Sequence, residues 1–173
     1  MDIILRRAVP ADAAALSTIA KQTFYDTFID TCTAEDMQDF LEQYFNEAQL
    51  KAELSDENDY CFFAELNGMP VGYIRFKEDY ESFELMRQWK SLELKRIYIL
   101  KEYKGKGPAF ELMQLFFDHA AQGSYQAIFL GVWEHNLRAQ RFYEKYGFVN
   151  SGHMHDFPIG KTPQQDYWFW KFL

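Results

Sequence analysis

Cysteine, proline and basic residues are scarce in this 173-residue chain, and it has no long apolar run. Only Cys32 and Cys61 occur, without C-x-x-C spacing, which excludes a disulfide framework and a cysteine zinc site. The N-terminal MDIILRRAVP carries an acid at position 2 and arginines after only three apolar residues, the wrong order for a secretory signal. No run approaches the roughly 18 apolar residues of a membrane span. We therefore expect a soluble, cytoplasmic protein that binds no membrane.

Negative charge dominates the composition. The chain has 26 acidic and 18 basic residues, a net charge of -8 and a pI near 5.0. Because nucleic acids require a basic surface and the sequence shows no basic stripe, we expect no nucleic-acid partner. The same charge favours a small polycation as a ligand, although most acidic proteins are merely soluble.

Few features of the sequence suggest a metal site or a second domain. His153 and His155 lie two residues apart, but no third ligand is evident, so we predict no metal. The absence of a linker or repeat predicts one domain over residues 1–173. The oligomeric state is left open, with a homodimer among the options.

Apolar periodicity predicts a mixed α/β (α+β) fold. A hairpin is expected within 60–79, because Asn67-Gly68 separates two β-rich runs. The predicted helices are 10–29, 33–45, 46–54, 108–121 and 137–146, and the other predicted strands are 2–8, 92–100, 127–133, 148–155 and 166–172. The order strand, helix, strand after residue 92 requires at least one crossover connection.

The predicted strand 92–100 has an irregular pattern. Leu92 and Leu94 alternate with polar residues, but Arg96 takes the next apolar position, and aliphatic residues resume at Ile97. A β-bulge would produce this shift and would leave backbone groups without a sheet partner. A fully buried strand end also fits the pattern.

A glycine-rich turn, Lys104-Gly105-Lys106-Gly107-Pro108-Ala109, joins this strand to the next helix. It is not a P-loop, and Phe110 stands where a dinucleotide-binding motif needs its third glycine, which disfavours ATP and NAD. Glycine amides at a helix N-terminus, with lysines beside them, favour a phosphate. An ordinary strand-to-helix turn with solvated lysines is the alternative.

A second motif lies about thirty residues downstream in GVWEHNLRAQRFYEKYGFV. Asn136 is a predicted helix N-cap, and Tyr143 lies two turns further along the same helix. Gly147 is the predicted end of that helix. Tyr143 is then either a buried core aromatic or a phenol beside a ligand, able to exchange a proton.

The pairing of K-G-K-G-P-A with N-x-x-A-x-x-x-Y-x-x-x-G-F resembles the GNAT superfamily of acetyl-CoA-dependent N-acetyltransferases. LELKRIYI, LGVWEHN, RFYEKYGFV and TFYDTF further resemble its PaiA-type spermine/spermidine N-acetyltransferases. The resemblance covers nearly the whole chain. It implies a mixed, largely antiparallel seven-stranded sheet flanked by helices, with a bulged and splayed central strand.

The resemblance also assigns site residues for acetyl-CoA. It implies that the backbone of Ile97, Tyr98 and Ile99 bonds the pantetheine arm, and that 104–109 holds the pyrophosphate. Asn136 would contact the pantetheine, and Tyr143 would protonate the leaving thiolate. Lys104 departs from the family pattern, which favours Gln or Arg there, and its ammonium lacks the planar fork of an arginine.

The acceptor side is less defined by the sequence. Glu93 is the predicted general base and Glu134 a second candidate carboxylate, although both also fit a solvated surface. We expect Tyr25, Asp26, Trp133 and Glu134 to contact the substrate, with Trp133 alternatively a core residue. The predicted function is acetyl transfer to a primary amine of a polyamine. The alternatives are acetylation of a protein N-terminus, an amino acid or an antibiotic, or a non-catalytic coenzyme A-binding module.

Overall fold

Seven strands form one mixed sheet in the computed structural model, which describes residues 2–173. They are β1 (Ile4–Arg7), β2 (Asp59–Leu66), β3 (Met69–Lys77), β4 (Ser91–Ile99), β5 (Ala127–Trp133), β6 (Val149–Asp156) and β7 (Gln165–Phe172). The spatial order is β1-β2-β3-β4-β5-β7-β6, and only the β4–β5 pair is parallel. The predicted mixed, largely antiparallel sheet is confirmed. Residue 1 of the predicted domain lies outside the described residues.

Five helices cover the two faces of the sheet. They are α1 (Ala13–Phe28), α2 (Ala34–Tyr44), α3 (Glu47–Ser55), α4 (Pro108–Gln122) and α5 (Leu137–Lys145). The helix predicted over 10–29 begins and ends in short 3-10 turns. At its start the Asp12 carboxylate accepts hydrogen bonds from the Val9 amide and from Arg6, which holds the chain in a tighter turn before α1.

Local side-chain signals account for several element ends. The Thr33 hydroxyl accepts from the Asp36 amide at 3.0 Å, as an N-cap of α2. Asn67 and Gly68 both adopt positive φ, at 52° and 76°, as a two-residue hairpin turn between antiparallel strands requires. The predicted hairpin is therefore confirmed.

Each face of the sheet buries its own apolar layer. One layer packs α4, through Leu112, Met113 and Phe116, against the central strands. The other packs α1 and its neighbours, through Leu16 and Phe24, on the opposite face. The sheet is thus covered by packed helices on both faces.

The predicted bulge lies in β4. Arg75 of β3 pairs with Arg96, but the next residue, Phe76, pairs with Leu94. Lys95 is therefore the extra residue, and the register shift that the apolar pattern indicates is confirmed.

β4 and β5 separate just beyond this point. Their pairing covers only Ser91–Glu93 of β4, opposite 127–129, whereas β5 runs on to Trp133 beside β7. The rest of β4 therefore presents its backbone edge to an opening in the sheet and not to another strand. This splay positions the candidate site.

Candidate active site

A cleft of about 930 Å³ occupies the splay between β4 and β5. It is lined by the end of β4, the turn before α4, helix α5, the end of β5 and part of α1. Nine of the predicted cofactor residues line it: Ile97, Tyr98, Ile99, Lys104, Gly105, Gly107, Ala109, Asn136 and Tyr143. Lys106 and Pro108 are not among the lining residues.

The glycine turn presents unbonded amides to this cleft. Gly105 and Gly107 have φ of 82° and 111°, values that side chains other than glycine rarely adopt. Within residues 2–173 the amides of Gly105, Gly107 and Ala109 donate no hydrogen bond. Pro108 is the first residue of α4, where its missing N–H costs nothing. The turn has the geometry of an anion site at a helix N-terminus.

Cations surround this end of the cleft although the chain is acidic overall. Arg138, Arg141 and Lys145 of α5 line the cleft together with Lys104. Burial, and then the charge of Arg138, lowers the pKa of the Lys104 ammonium. The α5 cations were missed from the sequence, but their spacing of three and four residues is a signal for one helical face.

Helix α5 carries Tyr143 into the cleft. The helix starts at Asn136, whose Oδ1 accepts from the Ala139 amide at 3.1 Å, and is followed by Gly147 at φ 84°. The Tyr143 ring lies 5.9 Å from Phe148, and burial raises the pKa of its phenol. The hydroxyl makes no hydrogen bond within the described part of the chain, so it is free for a ligand.

Glu93 lies beside the cleft and is not among its lining residues. Its side chain is buried, and its Oε2 accepts from the Ser82 hydroxyl and, at 2.9 Å, from Lys95 Nζ. Lys95 lines the cleft and also contacts Asp79 Oδ2 at 2.7 Å. Burial raises the pKa of the Glu93 carboxyl. Its role as general base stays a prediction.

The predicted substrate residues are only partly brought together. Trp133 lines the cleft, whereas Glu134 lies just outside it. Tyr25 and Asp26 are exposed on α1, and Asp26 accepts from Gln22 at 2.9 Å. Residues 27–28 of the same helix line the cleft instead, because successive side chains on a helix point about 100° apart.

An aromatic wall lines one side of the cleft. The Phe28 ring lies 5.4 Å from Trp133 and 6.1 Å from Phe157. The loop carrying Phe157 is held to α2 by the Asp36 carboxylate, which accepts from the Lys161 amide at 2.8 Å and the Thr162 hydroxyl at 2.7 Å. The sequence has no short-range signal for Phe157, because this contact spans more than 120 residues.

Asp166 is a second carboxylate that sequence reasoning missed. It lines the cleft at the start of β7 and is only 9% exposed. Burial, and then the charge of Glu134, raises the pKa of its carboxyl to about 7. Alternation along β7 places Asp166 on the same face as the buried Trp168, which was an available signal for burial.

Other kinds of site find little support in residues 2–173. They contain no group of three or more His, Cys, Asp or Glu side chains arranged to hold a metal ion. None of the helices that the structure describes has the length and apolar character of a membrane span.

Comparison with known proteins identifies the family. The model of the acetyltransferase (GNAT) family matches residues 20–148. The uncharacterized N-acetyltransferase in the pepI 3' region of Lactobacillus delbrueckii subsp. lactis is 31% identical over 162 residues, covering 94% of this chain and 92% of that protein. A probable spermine N(1)-acetyltransferase of Bacillus subtilis subsp. natto is 32% identical over 62 residues, 35% of this chain and 41% of that protein. The structure of the PaiA N-acetyltransferase from Thermoplasma acidophilum in complex with coenzyme A matches with a TM-score of 0.80 at 19% identity over the full length of both chains. This chain therefore belongs to the acetyltransferase (GNAT) family and is an acetyl-CoA-dependent N-acetyltransferase.

Proposed function

We propose that the protein, as a single domain over residues 1–173, transfers the acetyl group of acetyl-CoA to a primary amine of a polyamine such as spermidine or spermine. We assign the acceptor to the side of the cleft formed by the aromatic wall and Asp166, and the charge on this acceptor side carries the proposal. Its two cations are already paired: Lys95 with Glu93 and Asp79, and Arg96 with Glu53 at 2.8 Å. The ionised form of Asp166 and the nearby Glu134 remain to attract an ammonium ion.

The aromatic wall suits the same ligand. A polyamine alternates short alkyl segments with ammonium groups, and aromatic faces such as those of Phe28, Trp133 and Phe157 bind both. The likeness to a probable spermine N(1)-acetyltransferase over 62 residues and to the PaiA fold supports this substrate class.

The opposite side of the cleft suits acetyl-CoA. We assign the pyrophosphate to the amides of the 104–109 turn, with Lys104 and Lys106 adding positive charge. The free backbone edge of 97–99 would bond the pantetheine arm as an added strand does, and Asn136 would contact the same arm. When bound, acetyl-CoA supplies the activated acyl group.

The protein then contributes position and proton transfer. We expect the amine to attack the thioester directly, because one cleft would hold both molecules and neither cysteine lines it. We assign the general acid to Tyr143, whose buried phenol stays protonated and can donate to the departing sulfur. With an amine pKa near 10, only about one acceptor molecule in a thousand is neutral at pH 7, at a cost of about 4 kcal/mol.

An amine panel tests the acceptor. Thiol release from acetyl-CoA would be followed with spermidine, spermine, n-butylamine, alanine amide and an aminoglycoside, and the product masses measured. We expect kcat/KM for spermidine to exceed that for n-butylamine by about tenfold or more, because each additional ammonium meets a carboxylate or an aromatic face.

The other outcomes separate the alternatives. Faster acetylation of alanine amide or the aminoglycoside would refute the polyamine assignment while leaving the acetyltransferase intact. Folded protein that binds coenzyme A tightly but releases no thiol with any amine would instead be a non-catalytic coenzyme A-binding module.

The α5 cations provide a test of the cofactor side. Replacing Arg138 and Arg141 together by Ala is expected to weaken coenzyme A binding about tenfold at low salt, since two charges near the phosphates are lost. The loss should shrink between about 50 and 500 mM salt because of screening. Titration calorimetry measures both values.

Lys51→Ala is the matched control, since it removes an exposed helical cation of α3 that does not line the cleft. Equal affinities in the double variant and the control would contradict the assignment of the phosphates to this end.

A further inference from the structure

The acceptor side of the cleft ends at a buried carboxylate with unused hydrogen-bonding capacity. Asp166 is 9% exposed, yet within residues 2–173 its buried Oδ1 has no hydrogen-bond partner. Nearly all buried polar atoms in proteins are paired, because an unpaired one is costly. The partner of this carboxylate oxygen therefore lies outside the described part of the chain, and an ammonium ion bound in the cleft would supply one.

A histidine faces the other oxygen of this carboxylate. His155 Nε2 lies 3.8 Å from Asp166 Oδ2 and has no hydrogen-bond partner among the described residues. The His155 ring stacks on Trp168 at 4.0 Å, and its Nδ1 lies 3.2 Å from the backbone oxygen of Asp156. Nδ1 then carries the hydrogen and donates it to that oxygen, so Nε2 presents a lone pair to the carboxyl group.

A glycine makes room for the pair. Gly131 of β5 lines the cleft opposite Trp168 of β7. A Cβ at Gly131 would lie 2.8 Å from His155 Nε2 and 3.1 Å from Asp166 Oδ2. Any other residue would displace the two polar atoms, so the strand leaves this space to them.

The predicted base is less suited to take up a proton. The Glu93 carboxylate already accepts from Ser82 and from the Lys95 ammonium, which lies on the cleft side of it. An ammonium ion entering the cleft therefore meets the charge of Lys95 on the way to Glu93, whereas it meets Asp166 directly.

We propose that Asp166 is the general base of acetyl transfer and that His155 accepts the proton from it. The entering ammonium gives one proton to an Asp166 oxygen, leaving a neutral amine and a neutral carboxylic acid. The protonated carboxyl group then donates to His155 Nε2, either after a small side-chain rotation or through one water across the 3.8 Å gap. His155 is partly exposed and releases the proton to solvent, so the base is regenerated.

The protonation states fit this role. The pKa of Asp166 is raised to about 7, so both forms of the carboxyl group are populated near neutral pH. Burial lowers the pKa of His155, so its imidazole is neutral in the free protein and holds the proton only transiently before passing it to solvent. The titratable groups that face the pair are Tyr98 and Lys95 of β4, Tyr143 of α5, Glu134 after β5, and Asp156 of β6.

The test is the pH profile of Asp166→Asn with spermidine as acceptor. Wild-type kcat is expected to rise through an apparent pKa near 7, as the carboxylate forms. In the variant the rise of kcat with pH should be absent, and kcat at pH 7 should be about 100-fold below the wild-type value. The difference in kcat between the variant and the wild type should narrow towards pH 10, where the amine loses its proton without a general base. The KM for acetyl-CoA should stay within about twofold, because Asp166 lies on the acceptor side.

Two further variants decide the outcome. Asp118→Asn removes an exposed carboxylate of α4 that does not line the cleft, and it is expected to retain the wild-type profile. If Glu93→Gln abolishes the limb near pH 7 while Asp166→Asn keeps it, the proposal is overturned and Glu93 is the base.

Two readouts need no acceptor, so they remain decisive if spermidine proves not to be the substrate. Carboxyl carbon NMR of the free protein should show a group titrating near pH 7 that is absent in Asp166→Asn. Because the folded-state pKa of this carboxyl exceeds its unfolded value, its ionisation destabilises the fold between about pH 4 and 7. Wild-type Tm should therefore fall more than the variant's between about pH 5 and 8. A titration near pH 4 alone, or equal Tm changes, would refute the buried base.

Discussion

Replacing Tyr143 by Phe is expected to lower kcat about 100-fold while the affinity for coenzyme A changes by less than about threefold. The phenylalanine ring still packs on Phe148, so the position of α5 and the lining of the cleft are kept. Only the hydroxyl that we propose as the proton donor to the departing thiolate is lost. Burial raises the pKa of the phenol, so the hydroxyl stays protonated over the pH range in which the enzyme works. Its ionisation therefore causes no loss of kcat at pH values below the pKa of the amine.

Steady-state kinetics and calorimetry on the same preparation measure these two quantities. Tyr146→Phe is the matched control, since Tyr146 follows α5, packs against Phe117 and does not line the cleft. An unchanged kcat in the Tyr143 variant would remove the phenol from the mechanism, and a parallel loss of coenzyme A affinity would make it a binding residue instead.

The second large effect is expected from Glu53→Ala, through stability. Glu53 of α3 bridges two arginines beneath the bulge, Arg75 at 3.2 Å and Arg96 at 2.8 Å, and all three side chains are at least 85% buried. Arg75 keeps Asp59 as a partner at 2.6 Å, so removing Glu53 leaves the buried guanidinium of Arg96 without an ion pair, which costs about 3–5 kcal/mol. For a chain of this length that corresponds to a fall in Tm of about 10 °C.

Thermal and urea unfolding monitored by circular dichroism measure this loss. Glu57→Ala provides the comparison, because Glu57 is exposed four residues away and only its backbone oxygen, not its carboxylate, takes part in a hydrogen bond within the described chain. A variant at Glu53 that unfolds within about 0.5 kcal/mol of the Glu57 control would show that the arginines find other partners or water.

Much of the cofactor side could be predicted from short stretches of sequence. The bulge was visible because Arg96 interrupts an alternating strand, and the structure confirms the register shift at Lys95. The hairpin at Asn67-Gly68 is likewise confirmed. The helical spacing of the α5 cations, at positions 138, 141 and 145, predicts that they share one face of the helix. The sequence does not predict that this face lines the cleft.

The acceptor side depends on contacts that sequence patterns do not carry. Phe157 reaches the cleft because its loop is tied to Asp36, far away in the chain. The neighbours of Asp166 come from β5 and β6, which flank β7 in the sheet order although β6 precedes it in sequence. From the sequence alone, Asp166 is recognisable only as an acidic residue at the start of an aromatic strand, and its neighbours in the fold are not predicted.

By itself, the sequence determined the backbone conformations of the cleft: the glycine turn, the bulge and the cap that starts α5. Each depends on the φ/ψ preferences and hydrogen bonds of residues within a few positions of one another. Only the tertiary structure decided which carboxylate is buried in the cleft. That choice follows from strand order, from the room above Gly131 and from desolvation, all of which arise when distant segments pack together.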